Sequence, residues 1–358
     1  MPSLKEIKGR INSISSTLAI TSAMKMVASA KLQKAQMAIQ NMLPYERRLY
    51  SMLLDLMGAM NISAAASEDG SVRGSGSAER GFDQSGDRLS LSNRHDLAGM
   101  DGAYSLMAQR EVRKVAIVAF ASNSSLCGAF NSNVIREATA EINEYRASGL
   151  GDADITVYSV GRKMAEAMKK LGFPSPADFT KMSDSPSYDA ASALAQELFD
   201  GFVSGRFDKV ELVYNHYKST SSQPTTRQTY LPLSLADATA DLQAGKIADS
   251  ASESDTNRGA EPVGAPVVRQ GSPTTEDLIV EPSKEALIAT LLPKVVRLRI
   301  FTTLLDSAAA EHAARTVAMQ LATDNGNDLL QELTLEYNKG RQQKITSEIL
   351  DLVGGSMQ

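Results

Sequence analysis

The residues best placed to do chemistry lie in the loop after the first apolar strand. Lys114–Ala121 (KVAIVAFA) is short, continuous and β-branched, as a buried strand requires, and SNSSLCGAFN follows it. α/β sheets bind ligands in the loops beyond the carboxyl ends of their strands, so Asn123–Asn131 is where a site would be sought. Cys127, beside Gly128, could act there as a nucleophile, but that chemistry needs a neighbouring base and none is evident. The alternative is a small buried thiol at a tight turn. The histidines His95, His216 and His312 show no metal-ligand spacing. There is no Walker A loop, GxSxG elbow, HExxH or paired-cysteine motif. Gly74 and Gly76 have no strand before them and no helix after, so they fail as a phosphate loop. The sequence assembles no active site, and no cofactor or metal is expected.

The elements around this loop form three groups. At the N-terminus, Leu4, Ile7, Ile11, Ile14 and Leu18 step by three and four residues, and the register continues through Thr21, Lys25, Ala28, Leu32, Ala35, Ile39, Met42, Glu46, Leu49, Leu53, Leu56 and Met60. A seam in phase for that long predicts a coiled coil, with a capping box from Ser3 to Glu6 at its start and a kink at Pro44. Thr21 and Lys25 weaken the seam, either as register-setting polar positions or as functional contacts. In the middle, strands at Lys114–Ala121, Ile155–Val160, Val210–Tyr217 and Thr226–Leu231 alternate with helices at about Ser132–Ala147, Arg162–Leu171 and Asp189–Val203. That alternation predicts a parallel-type, Rossmann-like α/β domain. At the C-terminus a helical pattern starts as far back as Ser283. Its seam runs through Leu291, Val295, Leu298, Leu305, Ala309, Met319, Leu330, Leu333 and Tyr337, then slips by one residue to Ile345, Ile349 and Leu352. Such a helix would be roughly 100 Å long, more than a globular core can use.

Two polar stretches interrupt this plan. SEDGSVRGSGSAERGFDQSGDR and ADSASESDTNRGAEPVGAP hold too few apolar residues to fold alone and predict flexible insertions. The expected organisation is an N-terminal helix over 1–60, an insertion over 61–111, the α/β domain over 112–235, an insertion in a hairpin connection over 236–276, a last strand over 277–282 and a C-terminal helix over 283–358. The fold class is α/β, with a long antiparallel coiled coil of the terminal helices and a central Rossmann-like domain.

Composition agrees with that plan. Of 358 residues, 42% are hydrophobic and 22% charged, in the range of folded soluble proteins. A net charge of -5 argues against general nucleic-acid binding. Aromatics are 5% with no Trp, which suits long helices better than an aromatic ligand pocket. One cysteine excludes an intramolecular disulfide and points to a reducing compartment. The N-terminus has no signal-peptide core, and the longest apolar run is far short of a membrane span.

Several stretches together resemble the gamma subunit family of F-type ATP synthases: MKMVASAKLQKAQ (Met24–Gln36), SSLCGAFN (Ser124–Asn131), and EHAARTVAM, ATDN and LTLEYNKGRQQKITSEILDLVGG within Glu311–Gly355. The likeness spans both terminal helices and the α/β domain and leaves the two polar insertions unexplained. It implies a central rotor shaft without catalytic groups of its own. The terminal helices would stand inside a hexameric ring of alpha and beta subunits, and the α/β domain would rest against the epsilon subunit and the c-ring. Rotation driven by proton or sodium flow would drive ATP synthesis on the beta subunits. The protein would lie at the cytoplasmic face of the bacterial inner membrane, peripheral and attached through partners. The family's coupling contacts would fall on Met24, Lys25, Arg315, Arg341, Gln342, Thr346 and Glu348. Thr316 and Ser356 stand where the family usually has Met and Ala. The cysteine pair that switches chloroplast relatives cannot form here. From the residues alone, a coiled-coil adaptor with a metabolite-binding domain and an enzyme acting through Cys127 remain the competing readings.

Overall fold

A computed structural model of the chain describes residues 3–59, 106, 110–233 and 284–355. The expected insertions and the expected strand at Asp277–Glu281 lie largely or wholly outside these residues.

The first helix, α1 (Leu4–Ala59), starts where Ser3 Oγ accepts the Glu6 N–H at 3.3 Å, and it passes through Pro44 without ending. A helix of that length extends ~84 Å at ~1.5 Å per residue. The described seam positions are buried or half-buried, with Ile7, Ala28, Leu32, Leu49, Leu53 and Leu56 buried outright. Each such leucine or isoleucine contributes about 1.5–3 kcal/mol relative to full exposure.

The central domain has β1 (Val115–Phe120), α2 (Phe130–Ala147), β2 (Ile155–Val160), α3 (Arg162–Lys170), the short α4 (Thr180–Asp184), α5 (Tyr188–Val203), β3 (Lys209–Asn215) and β4 (Thr225–Leu231). The sheet order is β2-β1-β3-β4. β1 pairs parallel with β2 and with β3, while β3 and β4 pair antiparallel. The sheet is therefore mixed rather than uniformly parallel. The segment from His216 to Pro224 is too short for the dozen or more residues of a parallel crossover, so β4 turns back beside β3.

Strand alternation divides the core into two layers. Ala116, Val118, Phe120, Tyr158, Val160, Val210 and Leu212 face one cluster, which contains Leu49 and Leu53 of α1 and Leu292, Val296 and Ile300 of the C-terminal helix. Val115, Ile117, Ala119, Ile155, Val157 and Val213 face the other, under α2 and α3. Leu106, which the sequence reading assigned to the first insertion, is fully buried in the larger cluster, and its carbonyl accepts the Leu233 N–H at 2.9 Å.

The last helix, α6 (Lys284–Gly355), passes through Pro293. It spans ~110 Å and runs antiparallel to α1. Arg299 donates to the Tyr50 hydroxyl at 3.0 Å, the Thr302 hydroxyl lies 3.2 Å from Glu46 Oε1, and the Thr323 and Thr21 hydroxyls meet at 3.1 Å. Further along, Gly326 faces Leu18 and Gly340 faces Leu4. No helix among the described residues is long and apolar enough to cross a membrane.

Candidate functional site

The loop after β1 is held by its own polar side chains. Asn131 Oδ1 accepts the Ser122 N–H at 3.0 Å, and Asn131 Nδ2 reaches the Ser124 carbonyl at 3.2 Å and Cys127 Sγ at 3.1 Å. Leu126 and Gly128 take positive φ, 68° and 58°, and fold Cys127 inward to 1% exposure. The groups around its thiol are the Ser122 hydroxyl, the Asn131 amide and the Ser124 carbonyl, none of which is a base able to activate it. Cys127 is the buried thiol of a tight turn.

The loop docks on α6. Cys127 and Phe130 pack with Ala310, and a Cβ built on Gly128 would stand 3.8 Å from the Ala318 Cβ. Small residues on α6 allow this close approach. Arg315 donates to Ser124 Oγ at 2.7 Å and pairs with Glu311 at 2.8 Å, with side chains only 11% and 10% exposed. Burial pushes the Glu311 carboxyl up, against the pull of Arg315. Burial, then Arg315 and Lys31, lower His312 to about 4, so its imidazole is neutral at physiological pH. Beside them, a cavity lined by Phe120, Val160, Ser183, Leu304, Ser307 and Glu311 has room for about one water. The crevice at the strand ends, where an α/β sheet would hold a ligand, is covered by α6.

A second junction lies at the end of β3. Asp306 on α6 accepts the Tyr217 N–H at 2.9 Å and lies 2.6 Å from His216 Nδ1. The Gln36 amide of α1 donates to the Tyr217 hydroxyl at 2.5 Å. Sequence reading missed these residues, because their partners are distant in the chain. The one available signal was a lone acid, Asp306, within the apolar run of α6.

On the opposite face of the sheet, Glu141 of α2 is 1% exposed and Glu211 of β3 is 9% exposed. Among the described residues, no donor reaches either Glu141 oxygen. Burial, with Glu211 as neighbour, pushes the Glu141 carboxyl up to about 9, so it keeps its proton at neutral pH. Burial also works against ionisation of Glu211, but the Glu141 proton and Lys209 outweigh it and hold Glu211 below its ordinary value.

The residues expected from the resemblance fall into three places. Arg315 is at the domain junction. Met24 and Lys25 are half-buried on α1, just past the Thr21–Thr323 contact. Arg341, Gln342, Thr346 and Glu348 lie beyond Gly340, where α1 has ended and every described residue from 341 to 353 is exposed. In this segment Thr346 donates to the Gln342 carbonyl at 2.9 Å, and Lys344 lies 3.8 Å from Glu348 with both side chains well exposed. Ile345, Ile349, Leu350 and Leu352 are exposed by 47%, 54%, 64% and 75%. The slip of the apolar seam after Tyr337 thus coincides with the loss of the partner helix.

Comparison with known proteins agrees with this geometry. The family described as ATP synthase matches residues 3–357. The ATP synthase gamma chain of Phocaeicola vulgatus is 47% identical over 357 residues, covering 100% of both chains. That of Bacteroides thetaiotaomicron is 46% identical over 358 residues, again across 100% of both. In the cryo-EM structure of the Euglena gracilis mitochondrial ATP synthase in rotational state 3, one chain has the same fold, with a TM-score of 0.51 and 18% identity over 99% of this chain and 93% of that one. Two long helices paired antiparallel, one of them covering the strand ends of the central domain, together with full-length likeness to these relatives, establish that this chain belongs to the ATP synthase gamma-chain family.

Proposed function

We propose that this chain is the non-catalytic rotor shaft of a proton-translocating ATP synthase. The observation that carries this reading is the row of exposed apolar side chains on α6 beyond Gly340, Ile345, Ile349, Leu350 and Leu352. Arg341–Gly355 continues for ~22 Å beyond the end of α1, with isoleucine and leucine side chains in solvent. Monomeric proteins rarely leave such an apolar face uncovered. A ring of alpha and beta subunits would cover it on all sides, and the ionic groups of Arg341 and Glu348 would meet complementary loops there. Met24 and Lys25 would meet the ring lower on the shaft, and Arg315 would support the shaft at its base. Together with Gln342 and Thr346 these are the proposed coupling contacts. The α/β domain would rest on the epsilon subunit and the c-ring, placing the protein peripherally at the cytoplasmic face of the inner membrane.

The proposed division of labour follows the expected boundaries: helices 1–60 and 283–358 as shaft, 112–235 with 277–282 as foot, and 61–111 and 236–276 as insertions. Tagged chain co-expressed with candidate alpha and beta subunits should co-purify as an ATP-hydrolysing complex. Recovery of the folded chain without them would refute the reading.

A further inference from the structure

A shaft transmits torque only if its foot cannot slip around it. Close-packed apolar side chains resist twisting by interlocking, and directional contacts add to this by fixing one orientation of the foot on the shaft. The corner after β3 supplies a concentrated set of these. Asp306 takes two donors from adjacent residues, the Tyr217 N–H and the His216 ring, and Tyr217 uses its other end to reach Gln36. One corner of the domain thus holds both helices of the pair at one level. The Tyr217 ring also packs beside Leu32, Ala309 and Ala313, and against Cys127 and Phe130.

We propose that this corner is the key that locks the foot to the shaft, and that His216 grades the lock with pH. Protonated, it binds Asp306 as an ion pair; neutral, it keeps only a weaker hydrogen bond to the carboxylate beside the Tyr217 amide. Among the described residues, the charged groups acting on His216 are Asp306 on α6 and Lys218 on its own loop, while Gln36 of α1 meets Tyr217 rather than His216. The hydrogen bond to Asp306 raises the His216 pKa, against burial and Lys218. A raised histidine pKa means that the stabilisation is complete below about 6.5, the unfolded value, and is lost as pH rises through the folded value. His216 and Asp306 are positioning residues, acting on catalysis only through the shaft. Their effect on coupling rests on the rotor reading; the lock itself does not.

The test has two arms. In the full chain, the protection of the Tyr217 amide against hydrogen exchange, corrected for intrinsic rates, should fall about tenfold as His216 loses its proton. In His216→Gln it should be low and independent of pH. His216 is half-exposed, so this variant should fold, and unchanged circular dichroism would establish that. The same protection profile in both proteins would overturn the lock. In membrane vesicles carrying the complete complex, the ratio of protons pumped to ATP hydrolysed should decline with pH in step with the exchange curve, and this decline should vanish in His216→Gln. If the exchange behaves as expected and the ratio does not follow it, the pH grading of coupling is wrong and the rotor reading stands. If the wild-type complex does not pump at all, the rotor reading fails, and the exchange arm still decides whether the lock exists.

Discussion

Leu4 of α1 lies directly against Gly340 of α6: a Cβ on Gly340 would stand 3.1 Å from Leu4 Cδ2. This contact is the last rung of the helix pair, because α1 begins at Leu4. Every described residue from 341 to 353 is exposed, so this segment adds little to the packing of the described residues. Deleting Arg341 onward should lower the helical circular dichroism in proportion to length and change unfolding free energy by less than about 1 kcal/mol. ATP-driven pumping by the complex should meanwhile be strongly reduced. Loss of the domain's fold would show that the tip is structural.

Gly161 is the tightest backbone position in the domain. It takes φ 96°, and a Cβ there would sit 2.0 Å from the Ala121 carbonyl oxygen. Neither backbone can yield without breaking the adjoining turn, where the Lys163 N–H bonds to the Ser122 carbonyl at 3.2 Å. Gly161→Ala should cost about 3 kcal/mol or more in denaturant unfolding. Gly326→Ala should be close to neutral, because its neighbour at 2.6 Å is the mobile end of Leu18 and the substitution improves helix propensity.

Glu141 makes the stability of the fold depend on pH. Its carboxyl titrates at about 9 in the fold against an ordinary 4.5, so the folded chain holds a proton that the unfolded chain releases between these values. Stability falls as pH rises through that interval. Glu141→Gln removes this slope and should be more stable than wild type by about 1–3 kcal/mol near pH 8.5, with the gap closing toward pH 4.5. Parallel unfolding curves at all pH values would contradict this assignment.

Arg315 and Glu311 form a pair almost shielded from water. Removing one partner leaves the other uncompensated, and Arg315→Gln should cost about 3 kcal/mol. Glu311 should then take up its proton more readily. Double substitution of both residues by glutamine should recover part of the loss, as a thermodynamic cycle on the two single variants and the double would read.

Much of this molecule was legible in its residues, because its dominant signals are local and periodic. The seam from Leu4 to Leu56 predicted the buried edge of α1, and Ile155–Val160 was bounded as observed, since a β-branched run between turn residues has few other solutions. The antiparallel β4 was missed because a strand's direction depends on the length of its connection rather than on its own residues. The pairing of Asp306 with His216 and the burial of Glu141 were illegible for a different reason: they join residues far apart in the chain, and a charged residue in an amphipathic pattern normally signals solvent. Of the coupling residues the family resemblance implies, Arg341 to Glu348 fall where the seam slips, but only the resemblance singled them out. Arg315 could not be placed at the junction until the loop carrying Ser124 was seen beside it.

Direct observation of rotation tests the central claim. Cys127 is buried and is the single cysteine, so Lys170→Cys, at the exposed end of α3, offers a unique handle on the foot. The complex with alpha and beta subunits would be fixed to a surface through the ring, with a bead attached at residue 170. Unidirectional turning of the bead on addition of ATP, stopping when ATP is removed, is the predicted result. A bead that stays fixed while the same complexes hydrolyse ATP would contradict the account.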